Sequence, residues 1–348
     1  MAKTNYDIED TVVGTVRAGR LDERVLSRLA PFYCTGLLYF DYARSVWFYS
    51  VANVYVNDIT FTTDVQEEGS RGRVNFAVIT NKKSNSTQTR ILLLDEQGNK
   101  VSEASQLQES LEVDAPTLWQ PGAAYLYQLH VELLPGNGGE EPLDVYELSV
   151  GIRSVEVRGN QFLINGEPFY FTGFGKHEDT AIRGKGFGPA YMIHDFNLMK
   201  WMGANSFRTS HYPYAEEVLE YADRHGIVVI DETAAVGLNP SLSGDGDDIM
   251  AYSPDTIGNE TQAAHAQAIR ELVHRDKNHA FVVLWCIANE PAAHEEGTRE
   301  SLEPLVDLTR ELDPTRPLIF TSEGDPLVDT DLIVDLMDVI SLNRYIGW

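Results

Sequence analysis

Cysteine is nearly absent from this 348-residue chain: Cys34 and Cys286 are its only two, and they form no CxxC. That spacing indicates neither a zinc knuckle nor a disulfide framework. Basic residues are also scarce, 27 Lys and Arg against 53 Asp and Glu, for a formal net charge of -26. Such a surface repels a phosphate backbone or an anionic membrane, so nucleic acid and lipid are not expected partners. Its plainest consequence is solubility. No run reaches about eighteen consecutive apolar residues, so no membrane span is expected. The opening MAKTNYDIED has no apolar signal-peptide core, which makes the cytoplasm the expected location for this N-terminus. HExxH and GxGxxG are both missing.

What is present is globular. Hydrophobic residues make up 43% and charged residues 23%, and the length suggests two or three domains. Residues 1–53 are the least readable, with a charged piece RAGRLDERVLSRLAP followed by the aromatic-rich FYCTGLLYFDYARSVWFYSV. Residues 54–157 read as β. In VYVNDITFTTDV, Val54, Val56 and Asp58 fall on one side of the alternation, with Tyr55, Ile59 and Phe61 largely on the other. Short β runs with turn signals over roughly a hundred residues predict an immunoglobulin-like β-sandwich, without the cysteines of an antibody domain.

Residues 158–348 change rhythm. Apolar strands alternate with helices: FYFTGFG, AYMIHDFNLMKWMG, ANSFRTS, AEEVLEYADRHG, IVVIDETA, ETQAAHAQAIRELVHRD, FVVLWCIANE, ESLEPLVDLTRELD, PLIFTSEG, LIVDLM and DVISLNRY. Repeated βα units with strands apolar throughout predict a parallel sheet covered by helices. Polar residues follow the apolar part of each strand: His177, Arg208, Ser210, His211, Asp231, Glu232, Asn289, Glu290, Glu323, Asn343 and Tyr345. Only a closed barrel gathers so many strand ends around one pocket, which favours a (β/α)₈ TIM barrel over a doubly wound sheet.

Glu290 is the leading candidate for chemistry. Glycoside hydrolysis uses two carboxyls, and in the retaining class one of them is an acid/base and the other a nucleophile. Glu290 sits at a strand end, walled in this reading by Trp285 and Pro291, with Asn289 beside it to bond a hydroxyl. The same residue could instead cap the loop or pair with Arg208. His177 and His211 lack metal-ligand spacing and read as pocket lining. GKGFGP (184–189) is at most a flexible active-site loop, and NPSLSGDGDDIMAYSPDTIGN (239–259) is either a surface loop or a rim for large aglycones.

The motifs GFGKHED, GANSFRTSHYPYAEEVLEYADRHGIVVIDETAAVG, VVLWCIANEP, LDPTRP and LNRYIGW, in order, resemble the β-glucuronidases of glycoside hydrolase family 2. The resemblance runs from about Val54 to Trp348. It implies a retaining hydrolase of β-D-glucuronides, with β-galactosidase-type specificity as the runner-up. By the same resemblance, Glu290 is the acid/base and Asn289 meets the sugar 2-hydroxyl. His177 lines the sugar site, Tyr345 lies against the nucleophile, and Arg208, His211 and Glu232 support the pocket. It implies no organic cofactor and no metal, and a homo-oligomer for the full-length form.

The chain also departs from that family. The nucleophile's usual Thr-Glu-Tyr-Gly, which the resemblance places at the end of the seventh strand, does not occur, and the Asn-x-Lys carboxylate reader that follows it in the family is absent as well. Residues 1–53 resemble at most the end of a jelly-roll sugar-binding domain. The expectation is therefore a fragment with about six of eight barrel strands, open sheet edges and no activity as written. Its alternative is a non-catalytic sugar-binding or decayed product.

Overall fold

The computed structural model describes residues 51–83, 87–180, 183–236, 238–239, 250–323 and 330–344. Expectations for residues 1–50 and for Tyr345 lie outside these.

Seven strands build the first unit: β1 (Val56–Gln66), β2 (Arg71–Thr80), β3 (Thr87–Leu94), β4 (Lys100–Ala104), β5 (Gln108–Asp114), β6 (Tyr127–Pro135) and β7 (Asp144–Val150). They form two antiparallel sheets, ordered β1-β2-β5 and β4-β3-β6-β7. Residues two apart share a face in each strand. Val74, Phe76, Ile91, Leu93, Leu129 and Val131 thus meet in one core. The alternation read in β1 is corrected by a register shift between Val56 and Asp58. A bulge adds one residue and reverses the face, so Val56, Ile59 and Phe61 are all buried together. Asp58 is instead turned to Lys277, whose Nζ lies 2.7 Å away.

A small antiparallel sheet of β8 (Val155–Arg158), β9 (Gln161–Ile164) and β10 (Glu167–Pro168) follows. The remaining strands are β11 (Gly173–Lys176), β12 (Ser206–Thr209), β13 (Val228–Glu232), β14 (Val282–Asn289), β15 (Leu318–Ser322) and β16 (Ser341–Leu342). They pair in that order and all in parallel, as an incomplete (β/α)₈ barrel. Between them lie α1 (Pro189–Met202), α2 (Glu216–His225), α3 (Asn259–Asp276) and α4 (Thr298–Leu312). LIVDLM, read as a short helix, is a 3₁₀ turn over Val334–Leu336.

Parallel strands covered on both faces carry continuous apolar runs, and every residue of β14 is buried. Helices α1 and α2 stop at Gly203 and Gly226, with φ of 76° and 64°, a left-handed region that glycine enters without a Cβ clash. Among the described residues β11 and β16 each pair on one side only. Phe174 within β11 is 43% exposed, and Trp201 near the end of α1 is 83% exposed.

The sandwich meets the barrel at the ends of the strands away from the polar residues. Arg153 reaches into the start of β14 and donates to the carbonyls of Ala280 and Val282 at 2.9 and 2.8 Å. Trp119 is fully buried there, its indole N–H donating to the Asp223 carbonyl at 3.0 Å. Asn278 bonds β1 in both directions, accepting from the Phe61 amide at 3.1 Å and donating to the Ile59 carbonyl at 2.7 Å. This junction anchors the sheet from below and leaves its upper rim for the site.

Candidate active site

Strand β14 delivers Glu290. Alternation turns Cys286 inward, its Sγ 3.8 Å from Thr321 Oγ1, while Trp285 points outward. The Trp285 indole donates to Asp313 Oδ2 at 2.9 Å and carries Arg316 over its ring at 5.4 Å. Trp285 therefore does not wall Glu290, contrary to expectation, because its side chain belongs to the helix-facing side of the sheet. Burial, with the Glu232 carboxylate nearby, pushes the Cys286 thiol well up and keeps it an unreactive core group.

At the mouth of the strand the Glu290 amide donates to the Thr321 carbonyl at 2.6 Å. Glu290 then adopts φ +49°, a conformation that side-chain-bearing residues rarely hold and that costs about 1–2 kcal/mol. A proline after it ordinarily favours extended backbone instead. The strained turn is held by the β15 hydrogen bond and carries the carboxyl toward the end of β16. There Asn343 Nδ2 donates to Glu290 Oε1 at 2.8 Å.

Arg208, from the end of β12, is the hub beneath. Its Nη1 lies 2.5 Å from Glu232 Oε2, 2.9 Å from Asn289 Oδ1 and 3.0 Å from Thr321 Oγ1. Its Nη2 donates to Asn343 Oδ1 at 3.2 Å. Burial alone would lower the Arg208 pKa, but the Glu232 charge beside it more than compensates and the net direction is up. The other Glu232 oxygen lies 2.6 Å from His211 Nδ1. Glu232 has no solvent exposure, so both of its oxygens are spent on cations or donors of the pocket floor.

His177 stands edge-on to His211, ring centroids 5.3 Å apart. Partial burial and then the neighbouring His211, Lys185 and Arg208 depress its pKa, which keeps it neutral near pH 7. Lys185, from the GKGFGP segment, lies 4.1 Å over the Tyr212 ring and ties that loop to the rim. Tyr214 braces the same corner, its hydroxyl donating to the Lys176 carbonyl.

Strand geometry thus gathers Glu290, Asn289, Arg208, Glu232, His211 and His177, while Tyr345 falls outside the described residues. Asp231 belongs elsewhere. It points away from the pocket, accepts from Thr209 Oγ1 at 3.0 Å and lies beside Asp276 at the end of α3. Asn343 and Thr321 had no assigned role in the sequence reading. Their only signal was a polar residue one step beyond, or just inside, an apolar strand.

The family model for the glycosyl hydrolases family 2 TIM barrel domain matches residues 155–348, and a second family 2 model matches 54–153. The chain belongs to glycosyl hydrolase family 2. A β-glucuronidase of Paenibacillus borealis is 46% identical over 313 residues, covering 89% of this chain and 50% of that protein. The human β-glucuronidase is 43% identical over 318 residues, covering 89% of this chain and 46% of its own length. The chain thus spans about half the length of the curated relatives it matches. Among solved structures, the β-D-glucuronidase of Dictyoglomus thermophilum superposes with a TM-score of 0.78 at 41% identity, covering 85% of this chain and 48% of the other. A Ruminococcus gnavus β-glucuronidase, solved with a C6-substituted uronic isofagomine, gives 0.77 at 33% identity, over 86% and 48% of the two chains.

Proposed function

We propose that this chain carries the acid/base side of a retaining β-glucuronidase site, with β-D-glucuronides as the substrate class. The observation behind this is Glu290, held on a strained strand end inside a network of Asn343, Asn289 and Arg208. In that role Glu290 protonates the glycosidic oxygen as the bond to the anomeric carbon breaks, then takes a proton from the water that enters. Asn289 meets the 2-hydroxyl, and His177 and Tyr345 line the sugar. Arg208, His211 and Glu232 hold the floor. Relatives that share the sequence are β-glucuronidases, one of them solved with a uronic sugar mimic, which supports the substrate class. The chemistry calls for no cofactor.

We further propose that the chain turns over little by itself. The other pocket carboxylates among the described residues are Glu232 and Glu323. The first is locked between Arg208 and His211. The second faces Asn239, whose Nδ2 is 3.5 Å from Oε2. Neither is placed as a nucleophile.

The test has two arms. Binding of D-glucaro-1,5-lactone by calorimetry should be measurable and should weaken in Glu290→Gln and Asn289→Ala. Hydrolysis of a chromogenic β-glucuronide by the purified chain should stay near the buffer rate. Equal binding of the corresponding galactose-configured lactone would overturn the substrate class. Rapid turnover lost in Glu290→Gln would overturn the proposed inactivity, and rapid turnover retained in it would remove Glu290 from the mechanism.

A further inference from the structure

Four basic groups and only three carboxylates meet where the sandwich sits on the lower ends of the barrel strands. Lys277 pairs with Asp58 at 2.7 Å, His279 with Asp223 at 2.6 Å and Arg316 with Asp313 at 2.5 Å. Arg153 is the fourth, and among the described residues no carboxylate lies within ion-pair distance of it. It is only 5% exposed, and a buried charge is ordinarily paired. The carbonyls of Ala280 and Val282 fix its Nε and Nη2, but two dipoles do not cancel a full charge. Burial, and then the nearby Arg316 charge, push the Arg153 pKa down to about 9. The junction is short of one negative charge.

Arg153, Lys277, His279 and Arg316 all line one cavity of ≈ 20 Å³, and none of the three carboxylates does. Arg153 Nη1 donates to no described residue, yet it is not sealed in protein. The same holds for His279 Nε2, on a ring fixed from its other nitrogen by Asp223. Burial alone would depress the His279 pKa, but the Asp223 carboxylate turns the net direction up, and the protonated ring carries an N–H on both nitrogens. A single water needs about 10–15 Å³, so the space takes one monatomic species and no tetrahedral oxyanion. We propose that this cavity binds chloride, held by Arg153 Nη1 and His279 Nε2 as the fourth counter-charge of the junction. Arg153 follows β7 and His279 precedes β14, so one ion ties the sandwich to the barrel. The site lies at the opposite ends of the strands from Glu290 and does not depend on the role of that residue.

Line widths in ³⁵Cl NMR test this on the full chain, because chloride exchanging with a protein site relaxes faster than free chloride. A net charge of -26 keeps loose chloride on the surface low, so saturable broadening reports a built site. The unsubstituted chain should show it in a gluconate buffer of fixed ionic strength, and Arg153→Met should abolish it. His279→Gln keeps a neutral donor toward Asp223 and removes the ring's charge. It should weaken chloride about tenfold or more, the loss of one charge-assisted hydrogen bond. The ion binds only the folded chain, so the urea midpoint should climb as chloride replaces gluconate, and that climb should be absent in Arg153→Met. No saturable broadening, meaning that the cavity takes water alone, would overturn the proposal. So would broadening that persists in Arg153→Met, or displacement of chloride by sulfate as readily as by bromide. Should Arg153→Met fail to fold by circular dichroism, His279→Gln decides, and an unchanged chloride affinity there overturns the site.

Discussion

Arg208 and Glu232 form a buried ion pair, Nη1 to Oε2 at 2.5 Å, in which the carboxylate side chain is fully enclosed and the guanidinium only 11% exposed. Removing one partner leaves the other charge in a poorly solvating interior, a loss of about 3–5 kcal/mol. Replacing both avoids the stranded charge. In urea titrations, Arg208→Leu and Glu232→Leu should each destabilise the barrel by about 3–5 kcal/mol, and the double variant by clearly less than their sum. Additive losses would mean that the pair is not a unit.

His279, just before β14, carries a second, partly buried contact, Nδ1 2.6 Å from Asp223 Oδ2. Burial alone would depress its pKa, but the Asp223 carboxylate outweighs burial and the net direction is up. A histidine raised in the folded state contributes stability that is complete below its unfolded pKa of about 6.5. That contribution is lost as pH rises through the higher folded value. Stability should therefore fall between pH 6 and the weakly alkaline range, and His279→Gln should flatten the fall. Asp276 supports the charged form and Arg275 opposes it, so the same profile in Arg275→Met should fall later. An unchanged slope in His279→Gln would assign the pH dependence to another group.

Asp231 runs the opposite way. Burial and then the Asp276 carboxylate, its charge and a hydrogen bond with it, push its pKa well above the ordinary range, and among the described residues its Oδ2 accepts from no other donor. The unfolded chain ionises this group from about pH 4, whereas the folded chain resists. Stability is thus given up progressively as pH rises above about 4. Asp231→Asn keeps an acceptor for Thr209 and removes that burden. It should be more stable than the unsubstituted chain at pH 7 and converge with it near pH 4, as read from denaturation midpoints. Lower stability at pH 7 would mean that the carboxylate is ionised and needed.

These polar pairs mark the limit of what the sequence made legible. The βα rhythm was readable because buried parallel strands such as β14 need uninterrupted apolar residues, and because Gly203 and Gly226 sit where helices must stop. The barrel followed from that rhythm and the sandwich from short alternating β runs, while the barrel's missing strands were inferred from the family resemblance. Side-chain direction was less accessible. The bulge at Val56–Asp58 reversed one strand face, and the true direction of Trp285 depended on which side of β14 met the helices. The gathering of Glu290, Asn289, Arg208 and Glu232 followed from strand ends alone. Which of them pair could not be read there: Arg208 binds Glu232, a contact set by neighbouring strand register, and Asn343 meets Glu290 across an intervening strand. Nothing in the helical stretch ETQAAHAQAIRELVHRD marks its last residue for the interior, yet Asp276 is fully buried.

The junction between sandwich and barrel gives the last prediction. A Cβ added to Gly151 would lie 2.5 Å from Ala280 Cβ and 2.9 Å from Trp119 Cβ. Neither atom can swing aside, because a Cβ moves only with its backbone. Ala280 is also held through its carbonyl by Arg153, and the Trp119 amide donates to the Ile152 carbonyl at 2.9 Å. Overpacking of this kind costs about 1–3 kcal/mol. Gly151→Ala should lose that much in thermal or urea unfolding, and the barrel should separate from the sandwich in a transition of its own. Adding Ala280→Gly removes the nearest clashing atom while leaving the Arg153 bond to a backbone carbonyl intact. The double variant should therefore recover a substantial part of the loss. If Ala280→Gly only deepens it, the close approach at Gly151 is not what holds the two units together.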